Sequence, residues 1–302
     1  MKKSILISLL LLTSTLCFSQ KELYVSQYMH SRYTLNSAFG GSAGALSVFG
    51  AYRKQWAGLN GSPSSQFFSA HTPLKNDKIA LGVEVFGQQY AVSKNTGFAA
   101  SYTYRIRPTT SSWLGLGLNV GMAINSSGWN EVSVKSSNDP SFNSSESHTI
   151  PVVGLGAAWY SDRFFAALSV PNFFWADIAR DQDAQFAFDQ SHLLLTGGYS
   201  FQFSKMWMVQ PSTLLHYDPE YETRVDVGVN VLFNKVIWVG GTYQTSKAMV
   251  MMLGYQILPQ FRVIYSWDKG LGSVGDLDAP SHEISLRYEF NYRIPTITPR
   301  FF

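Results

Sequence analysis

From residue 281 to 292 the chain reads SHEISLRYEFNY. Ile284, Leu286, Tyr288, Phe290 and Tyr292 are apolar and alternate with Glu283, Ser285, Arg287, Glu289 and Asn291. Period-two alternation makes a strand with one greasy and one wet face. A soluble sandwich would turn the greasy face to a core, whereas an outer-membrane barrel would turn it to lipid and keep the charges in its lumen.

Similar alternation predicts strands over residues 45–55, 64–71, 78–88, 97–107, 112–124, 149–160 and 163–170, and again over 191–203, 206–217, 222–234, 236–245, 248–257 and 261–268. With the last stretch that makes about fourteen. In the strand from Glu222, Val225, Val227, Val229 and Val231 alternate with Arg224, Asp226, Gly228 and Asn230. In the strand from Ser112, Leu114, Leu116, Leu118, Val120 and Met122 alternate with Gly115, Gly117, Asn119 and Gly121. Lengths near ten residues match a tilted strand crossing a bilayer, which needs about 9 to 11. Aromatics gather toward strand ends at Tyr52, Trp56, Trp113, Trp159, Tyr160, Trp207, Tyr217, Trp238 and Trp267, as an interfacial girdle would.

Loop lengths separate the two architectures. Every second connection is short (TPLKND, PTTSS, SD, SK, NK, LPQ), and the three longest, 125–148, 171–190 and 269–280, all fall at the opposite end. Outer-membrane barrels sort loop length in this way, with short periplasmic turns, and a sandwich has no reason to. The fold expected is all-β: a transmembrane antiparallel β-barrel. An even strand count puts both the amino and carboxyl ends on the periplasmic side.

Composition agrees. Charged residues are 14% of the chain and aromatic residues 15%, against a usual charged fraction of about 25%. The balance of 23 Lys+Arg against 20 Asp+Glu gives no basic excess for nucleic acid. No internal apolar run is long enough for a spanning helix. The opening MKKSILISLLLLTSTLCFSQ has a basic start, a short apolar run and small residues at Cys17 and Ser19, which reads as a secretory signal peptide over 1–19. A lipoprotein signal at Cys17 is disfavoured by Leu16 and Ser14. Cleavage would remove the only cysteine, leaving neither disulfides nor thiolate sites. Residues 20–43 then form an amino-terminal periplasmic or luminal segment ahead of a barrel over 44–302. A lumen of this size needs filling, and that segment is the candidate for it.

Patterns that would carry chemistry are scarce. None of the six histidines pairs with another at i+2, i+3 or i+4, so no local metal signature is present. His192 and His282 each follow a serine at a strand start, but no Ser-His hydrolase set assembles from strand parity. Asp177, Asp181, Asp183 and Asp189 lack the glycine and closing glutamate of a calcium loop, and Asp276 with Asp278 reads as solvated loop. GLGLNVG lies inside an alternating strand, which excludes a nucleotide loop; its glycines fit luminal positions where a close neighbour leaves little room. The expectation is no enzyme and no cofactor. Arg53, Glu84, Arg105, Arg224, Asp226, Arg262, Glu283, Arg287 and Glu289 fall on the luminal face, and their mixed signs favour a structural network over an ion-selective pore.

SQYM (26–29), NSAFGG (36–41), YRKQWAG (52–58), SAHTPL (69–74), LSVPNFF (168–174), LGYQI (253–257), SHEISLRYEF and a terminal PRFF occur in this order. Together they resemble the PorP/SprF family of outer-membrane proteins of the type IX secretion system, across nearly the whole mature chain. Where that family commonly has Asn-Pro-Ala before the first strand, this chain has Asn36-Ser37-Ala38. The resemblance implies an outer-membrane barrel embedded in lipid and working with the secretion and gliding apparatus. It implies export or surface anchoring of a large adhesin-like cargo with a C-terminal sorting domain. It also implies contact with other secretion components, among them OmpA-like peptidoglycan-binding proteins. It carries no catalytic residues. Asn172, Phe173, Phe174 and Trp175, in a long outer loop, are the candidate partner-binding residues, the aromatics expected to be exposed. A channel for small solutes is the alternative reading.

Overall fold

The computed structural model describes residues 26–128, 145–175, 185–186, 191–219, 223–271 and 279–290. Fourteen strands form one ring. They are β1 (Leu46–Lys54), β2 (Ser64–Pro73), β3 (Ile79–Tyr90), β4 (Ser93–Thr109), β5 (Ser112–Gly128), β6 (Ser145–Ser161) and β7 (Phe164–Val170). They continue as β8 (Leu193–Tyr199, resumed over Phe201–Gln202), β9 (Trp207–Tyr217), β10 (Arg224–Phe233), β11 (Ile237–Gln244), β12 (Ala248–Leu258), β13 (Phe261–Gly270) and β14 (Ser281–Phe290). Each pairs antiparallel with the next, and β14 pairs with β1 from Leu46↔Phe290 to Lys54↔His282, so the sheet has no edge. In hydrocarbon an unpaired N–H or C=O costs several kcal/mol, and closure removes that cost.

The alternation of the sequence becomes an inside and an outside. On β5, Leu116, Leu118, Val120 and Met122 are exposed on the outer wall while Ala123 is buried. On β14, Ile284 and Leu286 face out, and Glu283 and Ser285 are only 1% exposed. Tyr52, Trp159, Trp207 and Tyr217 are exposed near strand ends, as a girdle requires. Trp238 and Tyr160, expected in that girdle, are instead buried in the lumen. Register places them there: Trp238 shares its face with Leu232, and Tyr160 with Ala158.

The break in β8 has a simple cause. β8 breaks after Tyr199, opposite Pro211 of β9, and pairing resumes in the same register at Phe201↔Val209. Proline has no N–H to donate. Ser200 instead donates its N–H to Arg163 O at 2.6 Å, and Gln210 Nε2 reaches Ser200 Oγ at 3.0 Å.

One end of the ring carries only tight connections. The turn after β10, for example, places Asn234 (φ 48°) and Lys235 (φ 57°) in left-handed conformation, closed by Val236 N–H to Phe233 O at 3.0 Å. That is a type I′ geometry suited to the twist of a hairpin. The opposite end bears the connections 55–63, 129–144, 171–192, 218–223 and 271–280, together with two tight ones after β3 and β11. There β4, β5 and β6 run to 17 residues each. That is roughly 55 Å of strand at ~3.3 Å per residue, or ~40 Å of height at a tilt of about 45°, well over the ~25 Å of a barrel's apolar band. Their outer ends, with Lys94, Thr96 and Ser126 on the outward side, stand beyond the apolar wall.

A charge on the outer wall should be costly. Leu118→Arg should lower the refolding stability of the barrel in lipid vesicles by roughly 2–4 kcal/mol, as expected for Arg near a bilayer midplane. A change below about 0.5 kcal/mol, the size of an ordinary surface substitution, would show that this face does not meet hydrocarbon.

Candidate functional site: the filled lumen

Ahead of β1, residues 26–42 lie inside the ring. Three short 3-10 turns, Tyr28–His30, Arg32–Thr34 and Ser37–Phe39, carry the chain along the lumen. Gln27, Tyr28, Met29, Arg32, Ala38 and Phe39 are all almost completely buried. The third turn is started by Asn36, whose side-chain oxygen accepts from Ala38 N–H at 2.9 Å. That cap forms with Ser37 in place of the proline of the related pattern.

Direction matters here. Near β1 the segment packs at the tight-turn end, where Phe39 lies 5.5 Å from Tyr160 and Gly41 N–H donates to His71 Nδ1 at 3.0 Å. Its first residue, Ser26, sits at the other end. Its N–H donates to Glu283 Oε2 at 2.9 Å and its hydroxyl to Asp268 Oδ2 at 2.7 Å. Both acids lie two residues from the long-loop end of their strands. Residues 26–42 thus span the lumen from the long-loop end at Ser26 to the tight-turn end at Gly41, and the amino end itself lies outside the described residues. Parity fixes only where β1 begins; a segment ahead of it is free to fold back up the lumen.

The segment meets three different walls. Along β13, β14 and β1 the contact is polar. Glu283 accepts from the N–H of Ser26 and, at 3.3 Å, of Gln27, and lies 3.3 Å from Arg53 Nη1. Gln27 Nε2 donates to Ser266 Oγ at 3.1 Å and to Glu283 O at 3.0 Å, and Ser285 hydroxyl donates to Gln27 Oε1. Arg53 also donates to Ser26 Oγ and pairs with Asp268. Arg287 Nη1 donates to His30 O at 2.9 Å.

Along β6 to β9 the contact is apolar. Tyr28, Met29, Tyr33, Ala38 and Phe39 form one cluster with Ala158, Tyr160, Phe165, Ala167, Leu194 and Leu214. The Arg32 guanidinium lies over the Phe165 ring, 3.4 Å from its centroid. Along β3 to β6 the wall is made of glycine. A Cβ at Gly82, Gly115, Gly117 or Gly156 would overlap Tyr33, Ala38, Ser37 or Asn36 respectively. Asn36 Nδ2 donates to Leu168 O at 2.9 Å, and Thr103 hydroxyl donates to Ser37 O at 2.7 Å.

The luminal charges of the sequence reading fall into separate groups. Arg53 and Glu283 join at the segment's start, with Asp268, which the pattern had not singled out. Glu84 accepts from Asn119 Nδ2 at 2.6 Å. Arg105 donates to Tyr160 OH at 3.2 Å and stacks 4.3 Å from the Trp113 ring centroid. Arg224 pairs with Asp226 at 3.2 Å, and Arg287 with Glu289 at 2.8 Å. Arg262 lies over Trp238 at 4.9 Å. Above Ser26, a cavity of about 630 Å³ lined by Gln55, Trp56, Gln88, Tyr90, Gln244 and Lys269 opens at the long-loop end.

The loop candidates behave differently from expectation. Asn172 is a structural clip: its Oδ1 accepts from the N–H groups of Val153 (2.9 Å) and Phe174 (3.2 Å), and its Nδ2 donates to Phe174 O (3.0 Å). Phe173 donates its N–H to Val153 O at 2.9 Å and is 9% exposed, so it is not a displayed aromatic. Phe174 is half-buried, and the side chain of Trp175 lies outside the described residues. The clip draws the loop back against β6, which buries the first ring. The acidic loop positions Asp177, Asp181, Asp183, Asp189, Asp276 and Asp278 also lie outside the described residues.

A closed antiparallel ring with an apolar outer wall and charges buried within defines an outer-membrane β-barrel, here with a filled lumen. The chain belongs to the type IX secretion system membrane protein PorP/SprF family, which it matches over residues 17–288. Solved barrels resemble it at low identity. The KdgM porin has 10% identity and a TM-score of 0.42, with 81% of this chain and 99% of that chain covered. The outer membrane protein Omp33 of Acinetobacter baumannii has 10% identity and a TM-score of 0.47, covering 82% and 98%. A FadL homologue of Pseudomonas aeruginosa has 11% identity and a TM-score of 0.45, covering 84% and 94%. No curated protein sequence matches the chain.

Two outcomes follow from the packing. Gly117→Val and Gly156→Val should expel the luminal segment while leaving the outer wall intact, because each new side chain meets atoms of residues 36–38. The variants should conduct ions in planar bilayers above the unaltered protein, with Gly50→Ala as a silent control. A folded variant with unchanged conductance would show that the segment is not seated on these glycines.

Acid should also loosen the segment. Burial holds the imidazole of His30, a residue of the segment and not of a strand, well below its ordinary value, and Arg262, Arg287 and Arg32 add to the effect. A displaced His30 takes up a proton below about pH 6.5 that the docked one refuses. Docking is therefore fully stable above that pH and weakens as pH falls. Protease cleavage within the segment should rise between pH 7.5 and pH 5, and His30→Phe should flatten the rise.

Proposed function

We propose that this barrel supports secretion or cell-surface anchoring of one adhesin-like cargo protein through protein–protein contact, without enzymatic activity. The observation that carries this reading is the filled lumen: residues 26–42 occupy the space through which a solute would pass, with Gln27, Tyr28 and Phe39 at most 1% exposed. Membership of a type IX secretion family supports the same direction. So does the long-loop end, where β4 to β6 extend the sheet well past the apolar wall and offer an ordered surface to a partner. Cargo with a C-terminal sorting domain would meet that end, and an OmpA-like peptidoglycan-binding protein would meet the tight-turn end.

The test is a crosslinked pull-down from isolated outer membranes, with an affinity tag inserted between residues 128 and 145. Recovery of a large secreted protein or of a peptidoglycan-binding periplasmic protein is expected, and deletion of the chain should abolish display of that cargo. Recovery of the barrel alone, with cargo display unaffected by deletion and clear conductance in bilayers, would favour a solute channel instead.

A further inference from the structure

At the lumen's long-loop end, strand register assembles a set of donors that are distant in sequence. β8 and β9 pair from Leu193↔Tyr217 and Leu194↔His216, so His192 and Asp218 follow as the next opposed pair. Leu194, buried on the luminal face, fixes the side on which His216, His192 and Asp218 lie. One ring nitrogen of each histidine and one Asp218 oxygen all lie within 4.8 Å of one another, the sole such group among the described residues. His192 Nδ1 is already 3.0 Å from Asp218 Oδ2, and the two imidazoles are 5.8 Å apart between centroids.

We propose that His192, His216 and Asp218 bind a late first-row divalent cation of the Zn(II) kind. Two imidazoles and one carboxylate form a donor set for such ions, leaving a position for water or a further ligand. Bonds of about 2.0–2.2 Å to a tetrahedral ion place its donors near 3.3 Å apart. Asp218 is buried at 9% exposure and fixes one donor, while His192 and His216 are half-buried and can close the remaining distance by small rotations. The charge balance suits a cation. Arg224, the register partner of His216, is 3.2 Å from Asp226, which places a second carboxylate beside that cation.

The ion would join the start of β8, where the 171–192 connection lands, to the end of β9, where the 218–223 connection leaves. Two long-loop-end connections would thus be fixed to each other across the lumen's rim.

The experiment uses the full-length protein in detergent, purified without a histidine tag and stripped with EDTA. It is dialysed against micromolar Zn(II), and bound metal is read by mass spectrometry. One ion per chain is expected. His192→Ala and His216→Ala should each weaken binding at least tenfold, and His282→Ala should not. Asp218→Asn keeps an acceptor for His192 but loses the anionic donor. It should therefore weaken binding while heat-modifiable migration on SDS gels stays that of the folded barrel. Replacing Zn(II) by Co(II) should give visible d–d bands that vanish in the His192→Ala/His216→Ala double variant. No binding by the unaltered protein, or equal binding by a folded double variant, would overturn the proposal.

Discussion

A backbone crossing hydrocarbon must satisfy every one of its N–H and C=O groups within itself, and for strands only a closed ring does so. The rest of the structure depends on that closure, made here by β14 against β1. Closure at fourteen strands creates an interior wider than a ring of side chains can fill, between the packed eight-stranded barrels and the open sixteen-stranded channels. In this chain the shortfall is deepened by luminal glycines on β3, β5 and β6. Residues 26–42 occupy the difference. The ring and its filling are one solution: the glycines are tolerable because the segment packs on them, and the segment is ordered because the ring encloses it.

The filling has no helix or strand long enough to order itself, so its position is set by the walls. Its polar side supplies what the luminal charges need. Glu283, out of water, accepts two backbone N–H groups from Ser26 and Gln27 in addition to the Arg53 contact. A buried carboxylate with an arginine alone would be poorly compensated; added backbone donors change that balance. Its apolar side meets rings and small side chains from β6 to β9 and needs no directional partner. One segment therefore matches a charged wall, an apolar wall and a bare glycine wall, which fixes its rotation within the lumen as well as its depth.

How much of this was legible depended on whether the information was periodic. Strand faces were legible because alternation of two survives in any strand with unlike sides; the split of Val227 and Val229 from Asp226 and Asn230 appears unchanged in space. The ring followed from the parity of loop length. The luminal segment was only a candidate, because SQYMHSRYTLNSAFGG has no period to read: each residue answers a different wall. The glycines of β5 hinted at a close neighbour without naming it. Trp238 and Phe173 misled for a shared reason. Aromatics near strand ends or in long loops are usually displayed, and only register and the Asn172 clip reveal that these two turn inward. The grouping of His192 with His216 was not legible because they lie 24 positions apart, and only the β8–β9 pairing makes them diagonal neighbours on one face.

The two ends of the barrel differ in how much ordered surface they offer. At the tight-turn end the chain reverses in a few residues, and the segment closes the lumen against Tyr160 and Phe165. At the other end, hydrogen-bonded sheet continues through Ser93, Gly128 and Ser145, well past the last apolar positions on the outer wall. Association pays for every side chain and loop it must immobilise, so a surface already held by sheet hydrogen bonds binds at lower cost than a free loop of equal area. A barrel devoted to solute passage would gain nothing from lengthening three neighbouring strands on one side of its rim while filling its own lumen. A barrel that holds a protein partner at the surface gains from both. In such a barrel raised strands would provide a rigid contact, and a filled lumen would close the path beneath it.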